Sequence, residues 1–490
     1  MDAAPPAPPP RWTAWAEAGW LLAFALLTRW SALGDAGYFN DELFYFAAGQ
    51  HLHDGLLPYV DVWDRKGPGL FLTYYLLAAL GNSPLAYQIP ALLFAAATAW
   101  CIRTIALRFA SRTGAMVGAT LYLAALPMFG GGSGQTPVFY NLWMALAALL
   151  VLRAGPALRE GRTPPGALLA MASAGFAITY KQTALFEAGF LGLWAVWQLR
   201  QSGRAALLPA ARLALAGIAP FALFALAFVA LGHFPELRDA MIDANLRKEN
   251  NPTGDQLARA GRLLFMGWPI VLAAAIGISW PRGPGREGRG FLAGWVLAGL
   301  IGVAAVPNYY EHYALPLLVP LCIAAARALR HELWGLGAGA LAVLYCLAVG
   351  PAFNLTDRAQ SRAAIAALEA EIRARDPQPR LFVYQGPMSL YNRLGSYPPS
   401  PLLDNFHLYF PPEDNASRLD TRAEVERILR WQPSVVIVFA DWPAEEENQR
   451  TAPLVRAYAA QHCQLWLRRP WREVFRTYTL EVHGDCRAGG

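Results

Sequence analysis

Charge is scarce in this sequence: 16% of its 490 residues are Asp, Glu, Lys or Arg, where soluble globular chains carry about 25%. That deficit excludes an ordinary soluble domain, because 55% apolar residues need more cover than a water-facing core supplies. Lysine is scarcer still, with only Lys66, Lys181 and Lys248 among 41 basic residues. An arginine-biased composition of this kind makes each remaining lysine worth inspecting. No basic stripe is present either. The arginines fall in short clusters between apolar runs, which excludes a nucleic-acid footprint. The five cysteines have no metal-ligand spacing. Cys101, Cys322 and Cys346 sit in apolar runs and read as inert core residues. Cys463 and Cys486 lie in a polar region where export would permit a disulfide, although spacing alone leaves their proximity open. No internal repeat is visible, and the apolar runs are nearly free of charge apart from Arg29, which disfavours a secondary transporter.

What the sequence does have is a succession of apolar segments. A span needs roughly 20 mainly apolar residues, and candidates occur at 13–33, 84–108, 113–130, 137–153, 164–180, 182–199, 207–232, 259–280, 290–306, 310–329 and 333–353. The first has no convincing small-residue cleavage site and reads as a retained span behind a proline-rich tail, residues 1–12. The stretch 67–80 is too short to cross upright and reads as re-entrant or interfacial. With the tail inside, the inside loops carry Arg103, Arg108 and Arg112; Arg153, Arg159 and Arg162; Arg200, Arg204 and Arg212; Arg282, Arg286 and Arg289; and Arg327 and Arg330. The outside loops 127–136 and 306–311 contain no Lys or Arg. This follows the positive-inside rule and puts all three lysines outside, against the trend.

From residue 354 onward, charge and proline return. The segments 381–386, 434–440, 464–469 and 473–482 read as strands, and 359–375 and 421–432 have helical periodicity. The expected fold class is therefore a polytopic α-helical membrane protein of about eleven transmembrane helices, residues 13–353, with a C-terminal extracytoplasmic α/β domain, residues 354–490. The helix–strand alternation resembles half of a doubly wound sheet.

The first external loop, 34–83, is the densest in chemistry, with Asp35, Asp41, Glu42, Asp54, Asp61, Asp64, Arg65 and Lys66. Asn40 is placed to cap a helix starting at Asp41, and Leu43, Phe44, Phe46, Ala47 and Leu52 follow at roughly helical spacing, as in a helix lying along the membrane surface. A carboxylate beside cations stays ionised. The combination suits glycosyl transfer from a phosphate-linked sugar, which needs a base for the acceptor proton and cations for the departing phosphate. The bland alternative is a solvated acidic loop. His51 and His53, two apart, point in different directions on a helix and do not suggest a shared metal. The loop 233–258 reads as solvated and charged.

The order of these pieces resembles the type C glycosyltransferase superfamily, particularly the protein O-mannosyltransferases and the bacterial aminoarabinose and undecaprenyl-phosphosugar transferases. Asp41-Glu42 after the first span matches the family's acidic pair. Gly55 through Tyr59 matches its Gly-x-x-Pro-Tyr stretch, and Lys66-Gly67-Pro68 its Lys-Pro motif. Gly67 replaces the first of the family's two prolines and reads as a mild loosening of that turn. Lys181-Gln182-Thr183, and His312-Tyr313 ahead of a further apolar run, match two later segments.

The resemblance implies an inverting transfer from a polyprenyl-phosphate-sugar donor to a lipid, glycan or protein acceptor, at the periplasmic face of a bacterial inner membrane. It implies that Asp41 is the general base with Glu42 beside it, the latter left to sugar hydroxyls or a metal. It places Arg65, Lys66, Lys181 and His312 at the lipid phosphate and makes Tyr59, Asp61, Tyr309 and Tyr313 the substrate-binding candidates. No cofactor is implied with certainty, and a divalent metal is admitted, since the superfamily contains members of both kinds. The partners are the donor, the acceptor and membrane lipids, with no nucleic acid. A non-catalytic lipid-binding or assembly protein of the same fold is the alternative.

Overall fold

The computed structural model describes residues 11–280, 286–473 and 476–487. The first ten residues of the proline-rich tail, the Arg282 position and residues 474 and 475 of the expected strand 473–482 lie outside the described residues. In chain order the main helices are α1 (Arg11–Arg29), α2 (Asn40–Leu52), α3 (Pro68–Ala78), α4 (Leu85–Ala106), α5 (Arg112–Met128), α6 (Thr136–Arg159), α7 (Pro165–Ile178), α8 (Ala184–Gln198) and α9 (Leu207–Ala230). Helices Thr253–Ser279, Arg286–Ala304, Leu318–Ala328 and Trp334–Val349 complete the apolar part. Every expected span contains one of these helices. Four, namely α4, α6, α9 and Thr253–Ser279, are long and apolar enough to cross a membrane by themselves.

Burial sorts the helices. Two-thirds of the apolar stretch of α6 is inside the protein (67%), against 11% of that of α9. A helix that apolar and that exposed is stable only against lipid, so the chain is a membrane protein. α5 sits centrally, packed on α1, α4, Leu318–Ala328 and Trp334–Val349. Its Gly118 to Met128 turns are buried throughout.

Two expectations change at the outer ends. The segment 310–329 does not begin as a helix: Glu311–Ala314 is a single 3-10 turn, and the helix starts at Leu318. Pro316 accounts for part of the break, since it has no backbone N–H to donate across it. Nor does α2 lie on the membrane surface. Its residues from Glu42 to Gly49 are all buried, packed on α3 and on the short helix Ser389–Leu394 of the C-terminal domain. Asn40 is the first residue of that helix and makes no side-chain cap; Phe39 precedes it.

The C-terminal domain has a four-stranded sheet in the order β1-β2-β4-β3, with β1 Leu381–Val383, β2 Val435–Phe439, β3 Gln464–Arg472 and β4 Thr477–Gly484. Only β1 and β2 are parallel, Leu381 facing Val435. β4 runs antiparallel to β2 and forms a hairpin with β3, so the sheet is mixed and not half of a doubly wound one. The short β3–β4 link permits no crossover. β1 and β2 are buried residue by residue, while β4 alternates, so the parallel half of the sheet is covered on both faces and the hairpin half on one. Ile365, Leu368 and Ile372 give helix Leu355–Arg375 its buried face. Cys463 and Cys486 form a disulfide.

Candidate active site

The first external loop is anchored where it leaves α1. Arg29 at the end of α1 donates to the Gly131 carbonyl at 2.6 Å. Asp35 accepts from the Gly37 amide (2.9 Å) and from Ser361 Oγ (2.8 Å), and pairs with Arg358 at 3.3 Å, which anchors the loop to the C-terminal domain. α2 then presents Asp41 and Glu42 in its first turn, where free backbone N–H groups favour carboxylates.

The two carboxylates meet opposite environments. Asp41 Oδ2 accepts from Gln135 Nε2 at 3.2 Å and from the Tyr45 hydroxyl at 3.4 Å. Burial opposes its charge, but Lys66, His312, Gln135 and Lys181 together outweigh burial and hold Asp41 below the ordinary carboxylate range. Glu42 is fully buried and burial pushes it up to about 8. Ser133 and the Gly134 amide lean toward it, yet neither carboxylate oxygen closes a hydrogen bond of ordinary geometry. At neutral pH Asp41 is an acceptor and Glu42 keeps its proton.

Lys66 reaches this group through a fitted backbone. The Gly67 amide donates to the Tyr180 carbonyl at 3.1 Å and the Gly69 amide to the Thr179 carbonyl at 2.9 Å, so the Lys66-Gly67-Pro68 and Lys181-Gln182-Thr183 segments dock against each other. Gln182 Nε2 adds a bond to the Arg65 carbonyl at 2.9 Å. A Cβ on Gly67 would lie 2.0 Å from the Thr179 carbonyl oxygen. Gly67 therefore does not loosen the turn as expected; its bare Cα is what the close approach requires. Lys66 Nζ lies 4.0 Å from Asp64 and 5.4 Å from the Tyr45 ring centre. Burial works against its charge, but Asp64 and Asp41 more than compensate and raise it above the usual lysine range.

Lys181 Nζ stands 3.9 Å from the centre of the Tyr313 ring, and burial, with Lys66 adding repulsion, brings it down to about 7. His312 packs edge-on against Tyr313 and Phe39 at 4.7 and 5.8 Å. Burial holds His312 at about 3, so it is a neutral donor or acceptor at physiological pH.

Arg65 is placed otherwise than expected. Its guanidinium makes a two-pronged pair with Glu413, at 2.6 and 2.8 Å, and Lys248 joins the same carboxylate at 2.8 Å. Arg65 is thus paired with a carboxylate of the C-terminal domain. Lys248 is accordingly half-buried within a loop that is otherwise largely exposed, as expected. Tyr59 and Asp61 also leave the substrate-binding set. The Tyr59 hydroxyl donates to the Lys66 carbonyl (2.8 Å) and its ring is buried against Phe71 and Phe228, while Asp61 accepts from the Leu57 amide (2.9 Å). Both shape the loop. Tyr309 adopts a left-handed backbone (φ 46°) at the turn into the His312 segment, and Tyr313 is the tyrosine of the set that lies against the cations.

Sequence reasoning missed Gln135, Glu413 and the Asp64, Asp404, His407 group, whose ligand-type atoms lie within 4.8 Å of one another. Gln135 had one legible signal: it is the one amide side chain in the outside loop 127–136, which has no Lys or Arg. Beside Asn40, a cavity of about 820 Å³ runs between the loop, helix Thr253–Ser279 and the C-terminal domain, with Phe39, Phe265, Met266, Trp471 and Glu473 among its walls.

A cluster of one carboxylate, two lysines and a histidine, at the outer ends of apolar helices and beneath an α/β domain, is therefore the candidate site of a membrane protein. No family model matches the chain, and no curated protein matches it by sequence. Among solved structures, the chain is similar to ArnT from Cupriavidus metallidurans in the apo state (TM-score 0.63, 14% identity, covering 96% of this chain and 98% of that one). It is similar to the same protein bound to undecaprenyl phosphate (TM-score 0.59, 15% identity, 95% and 98% covered). The Archaeoglobus fulgidus oligosaccharyltransferase in the apo form follows with a TM-score of 0.51 and 12% identity, over 92% of this chain and 73% of that one. At these identities the likeness is one of fold.

Proposed function

We propose that this protein transfers a sugar from a polyprenyl-phosphate donor to an acceptor on the periplasmic face of a bacterial inner membrane, with inversion at the anomeric carbon. The observation that carries the reading is the clustering of Asp41 with Lys66, Lys181 and His312, which come from three distant segments: Asp41 and Lys66 both meet Tyr45, Lys181 and His312 both meet Tyr313, and the three basic side chains act on the Asp41 charge. The acceptor hydroxyl attacks the anomeric carbon, the bond from that carbon to the phosphate oxygen breaks, and the hydroxyl proton passes to Asp41. Lys66 and Lys181 stabilise the charge on the departing polyprenyl phosphate, where buried cations act most strongly. ArnT of the same fold has been solved with undecaprenyl phosphate bound, which supports a lipid phosphate as the leaving group. The acceptor uses the cavity beside Asn40, apolar toward Phe265 and polar toward Glu473.

In this reading the apolar helices make eleven spans, with the tail inside and the C-terminal domain outside, where the Cys463–Cys486 disulfide is stable. The test is Asp41→Asn in purified protein given a panel of polyprenyl-phosphate sugars. Release of free polyprenyl phosphate should fall at least ~100-fold, while binding of the lipid product persists. Full activity in the variant would sink the base assignment, and no release from any donor by the unmodified protein would favour a non-catalytic lipid-binding role.

A further inference from the structure

The cluster of Asp64, Asp404 and His407 lies outside the proposed chemistry and bridges two parts of the chain: Asp64 immediately precedes Arg65-Lys66, while the other two belong to the C-terminal domain. One carboxylate oxygen from each aspartate and a nitrogen of the His407 ring lie within 4.8 Å of one another. Asp64 and His407 are 4% and 3% exposed.

Each group is held through one atom; among the described residues the second Asp64 oxygen, Oδ2, has only Lys66 Nζ as a charged partner, at 4.0 Å. Asp64 Oδ1 accepts from the Lys66 amide at 3.2 Å, and Asp404 Oδ1 accepts from the Phe406 amide at 3.0 Å. His407 Nδ1 faces Glu413 Oε2 at 3.2 Å, whereas its Nε2 is buried without a hydrogen-bond partner. A buried ring nitrogen left unpaired is costly. With Glu413 accepting from Nδ1–H, the lone pair sits on Nε2, the arrangement in which a carboxylate fixes the tautomer of a metal-binding histidine. The scaffold around the cluster is also tied: the Trp63 amide donates to the Pro401 carbonyl at 2.8 Å, and the Trp63 ring meets His407 edge-on at 4.9 Å.

We propose that Asp64, Asp404 and His407 bind one divalent cation, Zn2+ by preference, that clamps the first external loop to the C-terminal domain. Two carboxylates and a neutral imidazole balance a 2+ charge, and the nitrogen ligand disfavours Mg2+ and Ca2+, which take oxygen. Bonds of about 2.0–2.2 Å would draw the ligand atoms to about 3.5 Å apart, a side-chain adjustment. The ion has no part in sugar transfer. It positions Lys66 through Asp64, two residues away, and the inference stands whether or not the transfer reading does.

The test uses full-length, tag-free protein in detergent, stripped with a chelator and titrated with Zn2+, with the bound metal counted by elemental analysis and affinity by calorimetry. One Zn2+ per chain is expected, with binding weakened at least 10-fold in Asp404→Asn and in His407→Gln. Asp404→Asn is close to isosteric and keeps the fold assessable, and Zn2+ should raise the melting temperature of the unmodified protein but not of this variant. No bound Zn2+ in the unmodified protein, or full stoichiometry and affinity in both variants, would overturn the assignment. Tighter binding of Mg2+ than of Zn2+ would overturn the choice of ion.

Discussion

Lys181 is expected to take up a proton when polyprenyl phosphate binds, and the size of that uptake follows from the structure. Burial beside Lys66 lowers its pKa from 10.5 to about 7, a change equivalent to about 5 kcal/mol against the charged form. That figure is an upper bound, because the side chain is partly exposed. In the free protein at pH 8, about 0.9 of the Lys181 amines are then neutral, and at pH 6 about 0.1. His312, held at about 3, is neutral at both. A phosphate monoester is already dianionic at pH 8, its second pKa being about 6, so protons taken up there come to the protein. Calorimetry of undecaprenyl phosphate binding in buffers of different ionisation enthalpy should give close to one proton absorbed at pH 8 in the unmodified protein. Lys181→Met should show little uptake and weaker binding. The stability linkage has a definite sign. Above pH 7 the folded protein holds a neutral Lys181 while the unfolded chain still protonates it up to about 10.5, so this residue makes stability rise with pH across that window. Equal proton uptake in Lys181→Met and the unmodified protein at pH 8 would refute the reasoning.

Two further outcomes concern the loop. Gly67→Pro, which restores the double proline of the resembling family, should be damaging even though the native φ of −75° suits proline. It removes the amide bond to Tyr180 and drives a Cβ into the Thr179 carbonyl, a cost of about 2 kcal/mol or more. A melting temperature within about 1 °C of the parent would contradict the docking described. Glu413→Gln should destabilise by about 3–5 kcal/mol because it leaves Arg65 and Lys248 buried without their anion. In chemical unfolding, its combination with Arg65→Met should lose less than the sum of the single changes, and strict additivity would argue against a coupled cluster.

Much of the frame was legible in the sequence because lipid imposes a simple condition. Apolar segments of sufficient length had to be helices, and clusters of arginine marked one side of them. Lys66 and Lys181 were picked out by composition and topology, and the structure sets both against Asp41. Arg65 shared only the outside placement, and turned to Glu413, 348 residues away. A single sequence has no means of pairing charges over that distance. The Gly67 departure was misread for a similar reason: a glycine's purpose here is the Thr179 carbonyl opposite, which local turn chemistry does not reveal. The sheet order was beyond reach as well, because short strands fix only their own periodicity and not their neighbours.

The residue that satisfies Arg65 and Lys248 belongs to the C-terminal domain, so the change in composition near residue 354 is not a seam along which the molecule can be cut. A chain ending at Val349 would keep its apolar helices but expose two cations that face a buried anion, Arg65 being next in sequence to Lys66 of the Asp41 cluster. Grafting this domain onto another membrane scaffold meets the same obstacle, unless the recipient supplies a carboxylate at the matching height or an uncharged residue in place of Arg65. The domain is therefore better regarded as the missing counter-charge of the loop beneath it than as an independent appendage.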